Sequence, residues 1–429
     1  MHQRRILFLQ GPPSPFWPEL AAGFEAAGAR ALRINLSTSD ALFWRRRGAA
    51  AYRGRFAGWR DFVRGFMAAE HVTDVIYFND RNPYHIVARQ VAEEMGAQPQ
   101  VLEFGYLRPG WLTLEQGGMG AWSHFPADPA TIRAVAARCG PQPAEGFQAH
   151  PLATEIAFEV CSNLVNQYAF APFPFYRTDR VHNATYDYLS GLRHWIAIAR
   201  RRKQAEAIMA PLLSGAQPFV LFALQMQSDY QIRDNTRHRD QRVALAQTIA
   251  SFARHAPTEL SLLIKLHPYD TGLIDWHGLA RRLSAEHGVA PGRVACVDEG
   301  PTQALIAASR GVVVSNSTVG MSAIRALKPT FSFGVAVYEA PGLTHQGGLD
   351  SFWASPEPVD ADFCAAFVQA LAGSIQVRGS VYVPEGRKLA CGEIVARVLG
   401  GGVNGHGGFV DPPPRLAGLQ SGERRASQV

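Results

Sequence analysis

Short apolar runs alternate with helical patterns along two stretches of this chain, and the alternation limits the possible folds more than any other feature of the sequence. Runs rich in Val, Ile, Leu and Phe, each followed by Gly, Pro, Asn or Asp, are typical of parallel strands buried on both faces. The predicted strands are Arg5–Gln10, Ala31–Leu36, Asp74–Phe78 and Gln100–Phe104, followed later by Phe219–Leu224, Leu260–Leu266, Arg293–Val297, Gly311–Ser315 and Thr330–Phe333. The predicted helices include Pro18–Ala27, Pro83–Met95, Arg239–His255, Thr302–Ala308 and Val319–Ala326.

The two alternating stretches predict two domains, since 429 residues are too many for one ordinary core. A helical pattern over His194–Met209 lies between them. We therefore predict an α/β protein of the GT-B-like class, with two Rossmann-like domains, a helical bridge and a ligand cleft between the domains. The expected boundaries are an N-terminal domain over 1–150, a bridge over 151–212, a C-terminal domain over 213–399 and a flexible tail over 400–429.

Charge and cysteine usage exclude several classes of protein. The net charge of +6 is spread along the chain without a sustained Lys/Arg run, so we expect no nucleic-acid partner. Five scattered cysteines without a Cys-x-x-Cys pair are typical of reduced thiols in the cytoplasm. The apolar stretch Ile6–Leu9 is too short for a signal peptide, and no run reaches the length of a membrane span. The sequence predicts a cytoplasmic protein, and it is compatible with peripheral binding to the cytoplasmic face of the inner membrane.

A cluster of small hydroxyl and amide residues follows the predicted strand at Gly311. It consists of Ser315, Asn316, Ser317 and Thr318, with Gly320 two residues later. Hydroxyls and free backbone N–H groups at the start of a helix form an anion site that a phosphate often occupies. The alternative interpretation is an ordinary helix N-cap, which needs only one Ser or Thr.

Two further polar groups follow two other predicted strands. Lys265 and His267 alternate onto one side at the end of a strand that Pro268 terminates, so they could bind a phosphate and donate a proton to it. Gln225 and Asp229 follow the first strand of the second half, where a carboxylate could act as a nucleophile or base. A surface Lys, a structural His and an Asx turn are the corresponding structural interpretations.

The first half offers residues suited to a sugar or lipid-glycan acceptor. Glu103, Arg108, Trp111 and Glu115 follow one strand within thirteen residues, and a second polar cluster with Asp80 and Arg81 follows another. Aromatic faces and carboxylates are the groups that such an acceptor needs. Structural ion pairs of Glu103 with Arg108 and of Asp80 with Arg81 explain the same residues equally well.

Taken together, these motifs resemble the capsule polysaccharide β-Kdo transferase family. The resemblance runs from about residue 5 to residue 355 in one order, through the segments 8–16, 33–35, 43–44, 103–115, 225–231, 265–268, 315–320 and 338–353. The family's Gln-x-x-x-Asp and His-Pro elements match Gln225, Asp229, His267 and Pro268. One departure is Phe104, which stands where a second acidic residue is expected beside Glu103.

The resemblance implies a retaining transfer of β-Kdo from CMP-Kdo to a (lyso)phosphatidylglycerol-type lipid, without a metal or other cofactor. One set of motifs implies the member that adds the first Kdo of the capsule linker, with the capsule export machinery as a further partner. Asp229 would attack or stabilise the anomeric carbon, and Lys265 and His267 would assist departure of CMP. Ser315 and Ser317 would hold the phosphate.

In the same interpretation Glu103, Arg108 and Glu115 face the acceptor. Two other functions stay open at the level of the sequence. One is a GT-B enzyme with another nucleotide sugar, either a transferase or a 2-epimerase. The other is a non-catalytic capsule assembly or export factor.

Overall fold

A computed structural model describes residues 3–143, 147, 152–178, 180–236 and 238–419, and the chain divides into two compact units. Unit 1 comprises 1–126, 134–184 and 368–414, and unit 2 comprises 127–133, 185–367 and 415–429. None of the helices in the described ranges combines the length and the hydropathy that crossing a bilayer requires.

Unit 1 is built around a sheet of seven strands in the described residues, of which β1, β2, β3, β4 and β5 run parallel. The order across the sheet is β12-β6-β5-β4-β1-β2-β3, and β6 is antiparallel to both of its neighbours. Its strands are β1 (Arg5–Phe8), β2 (Arg30–Asn35), β3 (Ala50–Ala51), β4 (Asp74–Phe78), β5 (Gln98–Phe104), β6 (Trp111–Gln116) and β12 (Gln376–Arg378). Its helices include α1 (Phe16–Ala26), α2 (Thr38–Trp44), α3 (Trp59–Ala69), α4 (Pro83–Glu94), α6 (Leu152–Tyr168) and α15 (Pro384–Leu399).

In its described residues, unit 2 holds a parallel sheet of five strands in the order β11-β10-β7-β8-β9. The strands are β7 (Phe219–Ala223), β8 (Ser261–Lys265), β9 (Val294–Val297), β10 (Gly311–Val314) and β11 (Thr330–Ser332). Its helices include α7 (Ala184–Leu213), α8 (Tyr230–Asn235), α9 (Gln241–His255), α10 (Trp276–Glu286), α11 (Thr302–Ala308), α12 (Thr318–Arg325) and α13 (Leu349–Phe352). The first residue of α7, Ala184, is assigned to unit 1, and the rest of the helix belongs to unit 2. Two helices, α5 (Pro129–Cys139) and α14 (Ala361–Ser374), contribute residues to both units.

The predicted fold class, α/β with two Rossmann-like halves of GT-B-like type, is confirmed by these two sheets. Every strand predicted from an apolar run is present within two residues of the predicted bounds. Three strands, β3, β6 and β12, are absent from the sequence-based prediction, in which the residues of β6 form part of a connection. β6 carries Thr113 and Glu115 among its apolar residues, so it lacks the continuous apolar run on which the prediction rested.

The predicted domain boundaries differ from the division in the structure, because the chain returns to unit 1 from Val368 onward. β12 pairs with β6, and α15 packs on α1, where the guanidinium of Arg387 makes two hydrogen bonds of 2.8 Å to the carboxylate of Glu19. The bridge predicted over 151–212 is likewise divided, because α6 belongs to unit 1 and nearly all of α7 to unit 2.

Residues 400–419 of the predicted flexible tail are packed, which corrects that prediction. Asn404 is 3% exposed, and its Oδ1 accepts from the backbone N–H of Gln116 at 2.8 Å. Phe409 stacks on His124 at a centroid distance of 4.2 Å. Residues 420–429 lie outside the described residues. The polar, Gly-rich composition of this segment has no periodic apolar pattern, so the sequence predicts a flexible tail. In the structure, side-chain hydrogen bonds and one stacked ring hold the segment in place.

Candidate functional site

The strand order of unit 2 brings three predicted donor motifs to one edge of the sheet. β7 lies between β8 and β10, and the three strands run parallel. Their carboxyl ends therefore meet at the same edge, where open α/β sheets bind ligands. Gln225 follows β7, Lys265 ends β8 and Ser315 follows β10. The three motifs are therefore neighbours at this edge, because β7 lies between β8 and β10 in the strand order.

Gln225 and the Ser315–Asn316 pair are joined by side-chain hydrogen bonds. The Oε1 atom of Gln225 accepts from the backbone N–H of Asn316 at 3.1 Å. Ser315 donates its hydroxyl to Oε1 of Gln241 at 2.7 Å, and Nε2 of Gln241 donates to the carbonyl of Gln225 at 3.1 Å. Gln241, which is 1% exposed, is therefore an organising residue that the sequence analysis missed. Gln241 lies in the first turn of α9, and no local sequence pattern predicts its contacts with Gln225 and Ser315, which are 16 and 74 positions away.

Asn316 also ties this network to α8. Its Nδ2 donates to the carbonyl of Gln231 at 3.0 Å, while its Oδ1 is buried and has no hydrogen-bond partner among the described residues. Asp229 is the N-cap of α8, because its Oδ1 accepts from the N–H of Gln231 at 2.9 Å. The Asx-type cap that the sequence left open is therefore present. The cap fixes the orientation of the carboxylate, and it leaves a chemical role for the same group untested.

Ser317 is the N-cap of α12, with its hydroxyl accepting from the N–H of Val319 at 3.1 Å. Thr318 is the first residue of the helix. A Cβ at Gly320 would lie 2.4 Å from the hydroxyl oxygen of Tyr338, which itself donates to the carbonyl of Ser317 at 2.6 Å. Gly320 is therefore required by close packing behind the helix start. The helix N-cap, which was the alternative interpretation of this motif, is therefore present in the structure. An anion bound at the N–H groups of the helix start is compatible with this cap.

Lys265 is a buried cation at the carboxyl end of β8. It is 5% exposed, and its Nζ has only the carbonyl of Leu266, at 3.4 Å, as a hydrogen-bond partner. It makes no salt bridge within the described part of the chain. Burial lowers the pKa of Lys265, and the charge of Glu299 acts in the opposite direction. A buried ammonium group without a paired anion is costly, so this position favours an anionic ligand.

His267 lies two residues beyond Lys265, and Pro268 follows it directly. The Nδ1 atom of His267 accepts from the backbone N–H of Tyr269 at 3.1 Å. In the neutral ring the proton is therefore on Nε2, which makes Nε2 a hydrogen-bond donor. The loop geometry thus fixes the tautomer that could donate a proton to a leaving phosphate.

A second ionic cluster, which the sequence analysis did not identify, follows β9. Asp298 is 3% exposed and accepts from Nε and Nη2 of Arg201 at 2.8 and 2.9 Å. Nε2 of His277 lies 3.1 Å from the same carboxylate, and Nε2 of His194 lies 3.8 Å from it. Against the opposing effect of burial, hydrogen bonds and charge from His277 and Arg201 hold the pKa of Asp298 well below its usual range. The cluster fastens α7 and α10 to the sheet of unit 2.

Within unit 1, Asp80 and Glu115 are both buried and hydrogen-bonded. The Oδ2 atom of Asp80 accepts from the N–H of Met119 at 3.1 Å. The carboxylate of Glu115 accepts hydrogen bonds from the hydroxyl of Ser123 and, at 3.2 Å, from the hydroxyl of Tyr106. Burial raises the pKa of Asp80 to about 6, whereas the charge of Arg81 and the Met119 hydrogen bond oppose the shift. Arg81 lies over the ring of Trp122 at 5.0 Å.

Glu103, Arg108 and Trp111 surround the connection from β5 to β6. Glu103 accepts from the N–H of Phe104 at 2.9 Å, and exposed Arg108 lies over the Phe104 ring at 5.1 Å. Trp111 is 4% exposed in β6, and Glu115 and Asp80 are 0% and 2% exposed. These last three side chains are buried, and the acceptor contacts predicted for them stay predictions. The roles predicted for Glu103, Arg108 and Arg81 stay predictions.

The chain is similar in sequence to known capsule polysaccharide proteins. Residues 73–382 match the family described as "Capsule polysaccharide biosynthesis protein". The chain is similar to the capsule polysaccharide export protein KpsS of Escherichia coli, with 31% identity over 88% of this chain and 97% of that protein. It is also 29% identical to the capsule polysaccharide modification protein LipB of Neisseria meningitidis serogroup A, over 88% of this chain and 91% of that protein.

A solved structure, the β-Kdo 2,7 transferase of KpsC from Thermosulfurimonas dismutans, superposes with a TM-score of 0.44 at 14% identity. The superposition covers 92% of this chain and 98% of that one.

Proposed function

We propose a glycosyl-transfer reaction for this chain, which belongs to the capsule polysaccharide biosynthesis protein family. Membership confirms the family resemblance that the sequence motifs indicated. The proposed reaction moves β-Kdo from CMP-Kdo, with retention of configuration, to a lipid acceptor of the phosphatidylglycerol type. The observation that carries the proposal is the buried ammonium group of Lys265, which has no salt bridge within the described ranges, two residues from His267 at the carboxyl edge of the unit 2 sheet.

Lys265 and His267 are proposed to act on the leaving CMP. A phosphate would supply the counter-charge that Lys265 lacks among the described residues, and charge-assisted contacts in a desolvated site are strong. The Nε2–H of His267 would donate to the departing phosphate oxygen. The backbone N–H groups at the start of α12, next to Ser317 and Thr318, would hold the remaining phosphate oxygens. The orphan Oδ1 of Asn316 would accept from the nucleotide or sugar.

Asp229 is proposed to meet the anomeric carbon, either as a nucleophile or as a counter-charge to the cationic transition state. Its cap on α8 holds the carboxylate in one orientation, which a positioned nucleophile requires. A carboxylate nucleophile would give retention through two displacements, as it does in retaining glycosidases. Gln225 would position the Asn316 backbone in the same network.

The acceptor is proposed to engage Glu103, Arg108 and Arg81 of unit 1. Glu103 is half-buried and carries a carboxylate that could accept a hydroxyl proton, and exposed Arg108 could contact a lipid phosphate. Neither role requires a metal or another cofactor. A lipid acceptor also implies work at the cytoplasmic face of the inner membrane, together with the capsule export machinery.

The test is transfer of Kdo from CMP-Kdo, generated in situ, to a fluorescent phosphatidylglycerol analogue. We expect product from the wild type, a loss of at least about 100-fold for Asp229→Ala and His267→Ala, and a β-linked product by NMR. Exposed Asp362→Ala and His255→Ala serve as matched controls and should retain activity. An α-linked product, or a wild type that binds UDP-sugars and not CMP, would overturn the proposed donor and mechanism. Capsule export that survives Asp229→Ala would indicate a binding factor.

A further inference from the structure

Helix α7 presents an apolar face to solvent. Leu189, Leu192, Trp195 and Ile196 are 57%, 56%, 67% and 44% exposed, and we refer to these four side chains as the α7 apolar face. Positions three and four apart on a helix are neighbours, so the four side chains form one continuous patch. An exposed patch of large apolar side chains is unusual on a water-soluble surface and marks an interaction site.

The opposite face of α7 is fastened to unit 2, which fixes the direction of the apolar face. Ser190 donates to the carbonyl of Thr271 at 2.7 Å, and Arg201 binds Asp298 through two nitrogen atoms. Met209, further along the same side, is 6% exposed. The helix cannot rotate to bury Trp195 without breaking these contacts.

Basic residues dominate the charge along the α7 apolar face. The stretch 189–203 contains five Lys and Arg residues and no Asp or Glu. Arg201 and Arg202 are paired with acids of unit 2, whereas Arg193, Arg200 and Lys203 are exposed and make no salt bridge among the described residues. A partner that covers this face must therefore be both apolar and anionic.

We propose that the α7 apolar face docks this protein on an anionic membrane surface. Exposed Leu, Ile and Trp side chains with flanking Arg and Lys are the pattern of helices that lie in the plane of the lipid interface. Trp and Arg are favoured there, because each combines an apolar body with a polar end. The choice of lipid over protein rests on the proposed lipid acceptor, while the apolar and charge pattern stands without it.

The test is flotation of the full chain with vesicles of phosphatidylglycerol and phosphatidylcholine, compared with phosphatidylcholine alone. We expect binding to the anionic vesicles that weakens as salt rises from 50 to 300 mM in the assay, roughly as screening predicts. The double variant Leu192→Ala/Trp195→Ala should reduce the partition coefficient by at least about 30-fold. Arg193→Gln/Arg200→Gln should reduce it by about fivefold for each charge.

Matched controls remove the same chemistry elsewhere in unit 2. Val243→Ala/Leu327→Ala deletes two exposed apolar side chains, and Arg281→Gln/Arg282→Gln deletes two exposed charges. Both controls should float like the wild type. All variants should transfer Kdo to a water-soluble acceptor analogue at the wild-type rate, so a failed transfer reaction and a failed docking surface give different results.

Three outcomes would overturn the proposal. One is a wild type that does not float with anionic vesicles. Another is an α7 variant that floats as well as the controls do. The third is a wild-type dimer that Leu192→Ala/Trp195→Ala converts to a monomer, since the face would then be covered by a second copy.

Discussion

Replacing Lys265 with Met should stabilise the protein in the absence of ligand. Met keeps a similar volume and removes an ammonium group that is 5% exposed and has one carbonyl contact at 3.4 Å. Exchanging a poorly compensated buried charge for an apolar side chain gains roughly 2 kcal/mol. For a unit of about 200 residues, that gain corresponds to a rise in Tm of about 4–8 °C. Exposed Lys388→Met is the matched control and should change Tm little.

The advantage of Lys265→Met should depend on pH in a defined direction. Burial places the pKa of Lys265 below that of an unfolded chain. In the window between the folded value and the unfolded value near 10.4, the unfolded chain binds more protons, so wild-type stability rises with pH. The difference between variant and wild type should therefore shrink as the pH rises toward about 10.

The assay is thermal and urea unfolding with and without CMP. The wild type should gain stability from CMP by mass action, and Lys265→Met should lose most of that gain together with donor binding. A variant less stable than the wild type would refute the reasoning, because it would mean that the ammonium group is well paired. A gain that Lys388→Met reproduces would refute it as well.

Three further substitutions, with Gly392→Ala as a control for one of them, test local contacts. Asp80→Asn should raise the free energy of unfolding by about 2–3 kcal/mol at pH 8, since burial raises the pKa of Asp80 to about 6 and the charged form is disfavoured above that pH. The advantage should vanish as the pH falls from 6 toward 4. Gly320→Ala should cost about 1–3 kcal/mol, because its Cβ would lie 2.4 Å from the Tyr338 hydroxyl. Gly392→Ala, with no atom within 4 Å, should instead gain about 0.5–1 kcal/mol. Ser317→Ala should cost about 1 kcal/mol by removing the α12 cap.

Chemical denaturation at several pH values measures all of these changes. A constant advantage of Asp80→Asn from pH 4 to 8 would contradict the assigned titration. Equal gains for Gly320→Ala and Gly392→Ala would show that Tyr338 can move aside. No loss for Ser317→Ala would mean that water replaces the cap.

The sequence by itself determined the α/β class and most strands of both sheets. A run such as Gly311–Val314 is short, rich in β-branched Val and without a polar residue to place on a wet surface, so it favours a strand buried on both faces. Helix α4 has equally local signals, namely an Asn82 cap and Pro83 at its first position. The proximity of Gln225, Lys265 and Ser315 was not determined by these local signals, because it depends on the strand order β10-β7-β8.

Tertiary structure alone decided which side chains are accessible and which are paired. β12 pairs with β6 through Gln376 and Thr113, which are 263 residues apart in the chain, and no local sequence pattern predicts such a partner. The same holds for Gln241 in the donor network and for Arg201 with Asp298. Trp111 and Glu115 look suited to an acceptor in the sequence and are buried in the structure. The physical reason is that burial and pairing depend on the elements packed around a residue, whereas strand and helix preferences depend mainly on its chain neighbours.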